Sequence, residues 1–348
     1  MMSEYDQLGD PIRDVRQLED LLSEPTDGVV ATMGRLEGDI LILGVGGKIG
    51  PTLARMARRA SDAAGVKRRI IGVDKLEIQG KDELEAAGIE TLRCDLLKAD
   101  QVASLPDAEN IVYMAAMKFG TTGQTALTWA INTGVPVMVA QRYGGRKIVT
   151  FSTGNVYGLT PVEKGGSLET DELNPVGEYA QSTVGREQIF EHYSRALNTP
   201  MAIIRLNYAN EMRYGVLVDM AQNVWNEQPI DLSMGHVNVT WQGDAIAMTL
   251  RAFDHVAVPP AVFNVVGSDT LRVRDVCEKL GSIMGRKPHF VGEESPDALL
   301  SNGSHGWECL GCPRVDVDWM LPLIADWVKR GGENLGKPTH FESRDGKF

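Results

Sequence analysis

The sequence predicts an α/β fold: a Rossmann-type doubly wound parallel sheet with a smaller C-terminal substrate lobe. Three observations carry that reading. Apolar runs of strand length alternate with polar or helical stretches, a glycine-rich turn follows the first run directly, and an acid ends the second.

The runs are "DILILGV", "RIIGVD", "NIVYMAA", "KIVTFST" and "MAIIRLNY". Each of the first four is followed by a polar or helical stretch, the βαβ rhythm of strands buried on both faces. Before them, "RDVRQLEDLLSEP" places Val15, Leu18, Leu21 and Leu22 at helical spacing and closes at Pro25. That arm helix has two possible partners, the body of the molecule or a second subunit.

The first run enters "GVGGKIGPTLARMARRA". Gly44, Gly47 and Gly50 stand three apart at a strand-to-helix turn, where glycine permits a tight turn and lets backbone N–H groups approach a pyrophosphate at the helix N-terminus. Lys48 and Ile49 belong to the same turn. Asp74 ends the second run, where an acid accepts hydrogen bonds from the ribose hydroxyls of a dinucleotide and repels a 2′-phosphate. The pair favours NAD over NADP.

Composition excludes other classes. The net charge of −12 over 348 residues repels nucleic acid and anionic membrane, which leaves a small molecule as the expected partner. No apolar run is long enough to span a bilayer, the start lacks a secretory pattern, and four cysteines are too few for a disulfide framework, so the expected location is cytoplasmic. "HGWECLGC" sets Cys309 and Cys312 in CxxC spacing behind His305, but a fourth metal ligand is not in sight, and two reduced thiols are the expectation, with no metal.

Taken in order, several motifs resemble the NAD-dependent epimerase/dehydratase family of extended short-chain dehydrogenases/reductases, over roughly residues 39 to 330. They are "GVGGKIG", "CDL" at Cys94 to Leu96, "YMAAMKFG", "FSTGNVYG", the helix "GEYAQSTVGREQIF" and "RLNY". The resemblance implies an NAD-binding domain over 39–207 with 236–266 returning to it, a substrate lobe from 208–235 and 267–330, an N-terminal arm over 1–38 and a tail over 331–348. "FNVVGSDTLRVRDVCEKLGSIMGR" resembles the return to the sheet and the first lobe helix.

Roles follow by position. Asp95 and Leu96 match the segment against the adenine, and Ala115 and Ala116 the small residues that let a cofactor lie on the backbone. Lys118 falls where some sugar epimerases hold a lysine near the cofactor. Thr153 matches the catalytic serine or threonine that holds the substrate oxygen, and Tyr179 the tyrosine of YxxxK that takes the proton. Asn155, Asn207, Arg213, His236 and Trp241 fall along the expected substrate pocket.

One position departs from the motif: Thr183 stands where YxxxK has lysine. A phenol with an ordinary pKa of about 10 needs a nearby cation to work near neutrality. Three groups can stand in: the cofactor's own ring, Lys118, and Arg186, which leans back along the same helical face. The expected activity is hydride transfer from a carbohydrate-like alcohol, by an oxidoreductase or epimerase that the resemblance implies is a homodimer. The alternative is a dinucleotide-binding regulatory or scaffolding protein in which loss of the lysine has ended catalysis. "GHVNVTWQGDAIAM" lacks, between Gly235 and Asp244, the arginine that the resemblance implies for holding a diphosphate; the expected substrates are a free sugar, sugar acid or other polyol ahead of a nucleotide sugar, which stays among them, and Asp244 reads as a helix N-cap.

Overall fold

Seven strands form one sheet: β1 (Ile40–Leu43), β2 (Ile70–Asp74), β3 (Glu90–Arg93), β4 (Asn110–Tyr113), β5 (Lys147–Thr153), β6 (Met201–Leu206) and β7 (Ala261–Val265). The computed structural model describes residues 11–75, 80–118 and 123–346. Phe119 and Gly120 of the fourth-strand motif, the first ten residues of the arm and the last two of the tail lie outside them. The spatial order is β7, β6, β5, β4, β1, β2, β3, and every pairing is parallel. Ile40 at the head of β1 faces Ile70 on one side and Asn110 on the other. The chain therefore leaves β1 in opposite directions, and the crevice at the carboxyl ends of β1 and β4 is where such sheets hold ligands.

Side chains alternate across β1. Ile40 and Ile42 join Val29, Met33, Leu53 and Ile246 on one face, whereas Leu41 and Leu43 join Val139 and Phe190 on the other. Covering both faces explains why the strands read as unbroken apolar runs.

The arm resolves one open alternative. Its first helix, Val15–Leu22, starts at an Asp14 cap and buries Leu18, Leu21 and Leu22 in the core of the lobe, so it packs on the body. A second arm helix, Asp27–Arg35, capped by Thr26, packs on the helix after the glycine turn. The lobe is built around helices Val216–Trp225, Val273–Met284 and Val317–Lys329. No helix among the described residues is long and apolar enough to cross a membrane.

Candidate active site

At the end of β1 the chain turns on Gly44, whose φ is +94°, and a Cβ there would stand 2.7 Å from the Ala115 backbone nitrogen. Only glycine fits so close an approach of two strand ends. At Gly50 a Cβ would overlap the Val45 carbonyl. The helix Gly50–Ala63 follows Ile49 with no side-chain cap; its Gly50 N–H donates to the Gly47 carbonyl at 3.2 Å, and Pro51 has no N–H to bond. Asp74 ends β2 beside them. Its Oδ2 accepts from the Gly46 N–H at 2.9 Å and its Oδ1 from the Lys75 N–H at 2.7 Å, which fixes the carboxylate at the mouth of the turn. Asp95 accepts from the Leu97 N–H and lies 3.4 Å from the Lys75 ammonium, with half-exposed Ala115 and exposed Ala116 across the crevice. The cradle fits a dinucleotide: a helix start without a side-chain cap, an acid at ribose distance in sequence, and no side chain at the close approaches.

On the other side of β4, β5 ends at Thr153 and the tyrosine helix Gly177–Leu197 sets Tyr179 in its first turn. The two meet. The Thr153 and Thr183 hydroxyls both hydrogen-bond the Tyr179 side chain, and Thr183 Oγ1 also donates to the Tyr179 carbonyl at 2.8 Å. Burial pushes the phenol above its ordinary pKa, while the Arg186 cation and the two hydroxyls pull it down.

Arg186 lies inside the molecule, 2 % exposed. Its Nη1 donates to the Phe151 carbonyl at 2.9 Å and its Nη2 to Asn132 Oδ1 at 3.0 Å, so the partners described are neutral. Asn132 sits in a wide π-turn, Ala130–Gly134, a form common at functional sites. Its amide also exchanges hydrogen bonds with both backbone groups of Met117 and donates to Ser182 Oγ, which clamps the loop carrying Lys118 to the tyrosine helix. The Lys118 ammonium stands 5.9 Å from the Tyr179 ring centre, and burial lowers its pKa to about 8.

Lys48, on the glycine turn, reaches across to the lobe with its ammonium 3.1 Å from the centre of the Tyr214 ring. Burial first, then Lys118 and Lys337, depress its pKa to about 6, against the pull of Asp219 and Glu211. Sequence reasoning placed Lys48 in the cofactor turn but did not foresee Tyr214 or Lys337 beside it; nor did it find Asn132, whose neighbours carry no motif.

The substrate residues divide. Asn155 follows Thr153, with its N–H on Thr153 Oγ1 at 3.3 Å, and lines a small cavity between the two lobes. Asn207 lies against Gly154 and donates to Asn238 Oδ1 at 2.6 Å.

Two substrate-residue expectations, Arg213 and Trp241, and the helix-cap reading of Asp244 are corrected. Arg213 is not a pocket wall: it is buried in an ion network with Glu211 at 2.9 Å and Glu19 of the arm helix at 2.6 Å, because two carboxylates already surround it. Trp241 is fully buried against Trp319 in the lobe core, where its area is worth most. His236 pairs in register with Arg272 in a two-stranded lobe ribbon, half-buried, and is not among the residues lining that cavity. Asp244 is not an N-cap either; from inside the helix Gln242–Arg251 it accepts from Arg314 and from the Val315 N–H. Cys309 and Cys312 are free thiols, and among the described residues no group of three or more His, Cys, Asp or Glu is placed to hold a metal.

Comparison with known proteins fits this geometry. Solved structures share the fold: UDP-glucuronic acid 4-epimerase from Bacillus cereus, in complex with UDP-glucuronic acid and NAD, is 19% identical with a TM-score of 0.70 and covers 84% of this chain and 99% of its own. UDP-glucose 4-epimerase from Thermotoga maritima, with UDP-glucose, is 18% identical at a TM-score of 0.68, over the same 84% and 99%. dTDP-glucose 4,6-dehydratase from Streptomyces venezuelae, with NAD bound, is 19% identical at 0.70, over 84% and 97%. No curated protein matches the chain in sequence. Residues 40–211 match the model of the NAD dependent epimerase/dehydratase family.

Proposed function

We propose that this protein is an NAD-dependent enzyme of the extended short-chain dehydrogenase/reductase type, acting on a carbohydrate-like hydroxyl as a dehydrogenase or epimerase. The observation that carries the reading is the hydrogen bond between the Thr153 hydroxyl and Tyr179 at the mouth of the glycine cradle. Bound NAD supplies the hydride acceptor. Gly44, Gly47, Ile49 and Gly50 hold the pyrophosphate, Asp74 the ribose hydroxyls, and Asp95 and Leu96 face the adenine.

Thr153 Oγ1 holds the substrate oxygen, and the Tyr179 phenolate takes the hydroxyl proton as the carbon–hydrogen bond breaks. Lys118 and Arg186 stand in for the motif lysine: each places positive charge near the phenol, one from the loop and one from the interior, and Thr183 adds a hydrogen bond to it. Asn155 and Asn207 border the substrate. Two copies are proposed to pair through the tyrosine helix, a state that native mass measurement reads directly.

The alternative, a dinucleotide-binding regulatory protein, draws its support from Thr183; the contacts around Tyr179 favour catalysis. The test mixes protein and NAD with free sugars, sugar acids and nucleotide sugars, follows absorbance of reduced nicotinamide and analyses products for epimers, with Tyr179→Phe alongside. Turnover that disappears in the mutant supports the enzyme. No reduction and no epimer from any compound supports the binding protein.

A further inference from the structure

After helix Val317–Lys329 the chain runs back over the cleft. The Leu335 N–H donates to the Arg213 carbonyl at 3.1 Å, and the Thr339 amide and hydroxyl both donate to Asp219 Oδ2, at 2.7 and 2.6 Å. Phe341 is buried in the lobe core. Arg344 pairs with Asp297 at 2.5 Å and donates to the Ser233 and Asp297 carbonyls at 3.0 and 3.1 Å. Gly346 then lies on the start of the tyrosine helix, so close that a Cβ at Gly177 would stand 2.5 Å from its carbonyl. The segment is a strap tied at both ends, reaching within two residues of Tyr179.

Beneath it, between Asn155, Tyr208, Met234 and Leu299, remains a cavity of about 30 Å³. That holds one or two waters, whereas pockets for drug-sized ligands run to hundreds of cubic ångströms. The cation on this wall, Arg344, has its charge matched by Asp297, and Gly235 to Asp244 contains no arginine. A diphosphate arriving in that cavity finds no room, and Arg344, the cation on its wall, is already matched by Asp297.

We propose that strap residues 332–346 set the specificity of this site: they occupy the outer cleft that a nucleotide would need and restrict the enzyme to a single free sugar, sugar acid or polyol. The inference rests on the proposed hydride chemistry for its inner site, but its test does not need turnover.

NAD-loaded Tyr179→Phe protein is titrated with uridine diphosphate by calorimetry, as the full chain, as a chain ending at Arg330, and as the full chain carrying Thr339→Val and Arg344→Ala. The double variant keeps the test open if the truncation fails to fold. The expected result is no measurable binding to the full chain and binding at least about tenfold tighter once the strap is loosened. Binding of equal strength to the full chain and the double variant overturns the proposal. So does the absence of binding to a double variant that still binds NAD. Failure of the enzymatic reading would show elsewhere, as missing turnover by protein with Tyr179 intact.

Discussion

Two buried arginines flank the end of β5, and they are used in opposite ways. Arg205 on β6 forms a two-pronged pair with Glu187, at 3.0 and 2.7 Å, with both side chains 6 % exposed, and donates to the Tyr157 hydroxyl; Ser152 donates to the same carboxylate. Its charge is cancelled where it stands. Arg186, on the helix that carries Glu187, donates only to carbonyl and amide oxygens among the described residues, and its field reaches Tyr179 and Tyr113. The difference teaches that a buried charge holds structure when an acid matches it and tunes a neighbour when neutral dipoles solvate it.

The largest expected effect is on the residue being tuned. Tyr179→Phe lowers kcat by about a hundredfold to ten-thousandfold, the usual worth of a proton-transfer group, and leaves NAD affinity unchanged in calorimetry. Next comes the Arg205 side of the comparison. Glu187→Gln leaves a buried guanidinium unmatched and costs about 3–5 kcal/mol of stability, read by denaturant melts, while activity per folded molecule holds.

Arg186→Met sharpens the contrast. The cation lowers the phenol pKa, so removing it raises that pKa; activity falls near neutrality and recovers as pH rises, moving the ascending limb of the pH–rate profile to higher pH, whereas Arg186→Lys keeps most of the original profile. A uniform loss at every pH would make Arg186 structural, like Arg205.

The smallest effect concerns Lys48. Its depressed pKa of about 6 leaves the amine neutral at pH 7, so a nitrogen-detected NMR titration of the lysine side chains should show the Lys48 amine changing protonation near that pH while exposed lysines stay charged. The linkage sign is that of a lysine charged less readily in the fold: between its folded pKa and the ordinary value the unfolded chain binds the proton, and this group's contribution to stability rises with pH across that window.

The same contrast explains how much the sequence revealed. The sheet was legible because β1, β2, β4, β5 and β6 are buried on both faces, and burial leaves an apolar run that needs no partner to be recognised. Gly44, Gly50, Asp74, Thr153 and Tyr179 were legible because each answers a local backbone or chemical demand at a fixed place along the chain. The second arm helix, Asp27–Arg35, offered a Thr26 cap and an acid in its first turn, but its apolar positions are too few for the periodicity to announce it.

What failed depended on partners distant in the chain. Arg213 looks like a pocket cation until Glu19, 194 residues away, closes on it. Trp241 meets Trp319 only in the folded lobe, and the strap finds its anchors at Asp219 and Asp297 through side chains that carry no pattern of their own. Asn132 earns its place from a π-turn that brings it to Arg186, 54 residues on.

The most direct test of the account is the pH–rate profile of nicotinamide reduction, measured with whichever sugar the panel identifies, for the unaltered protein and Arg186→Met. The account predicts an ascending limb that moves to higher pH in the variant and a recovery of rate along it. Superimposable limbs, with the variant slower by a constant factor, would contradict the claim that an interior arginine replaces the motif lysine in charging Tyr179.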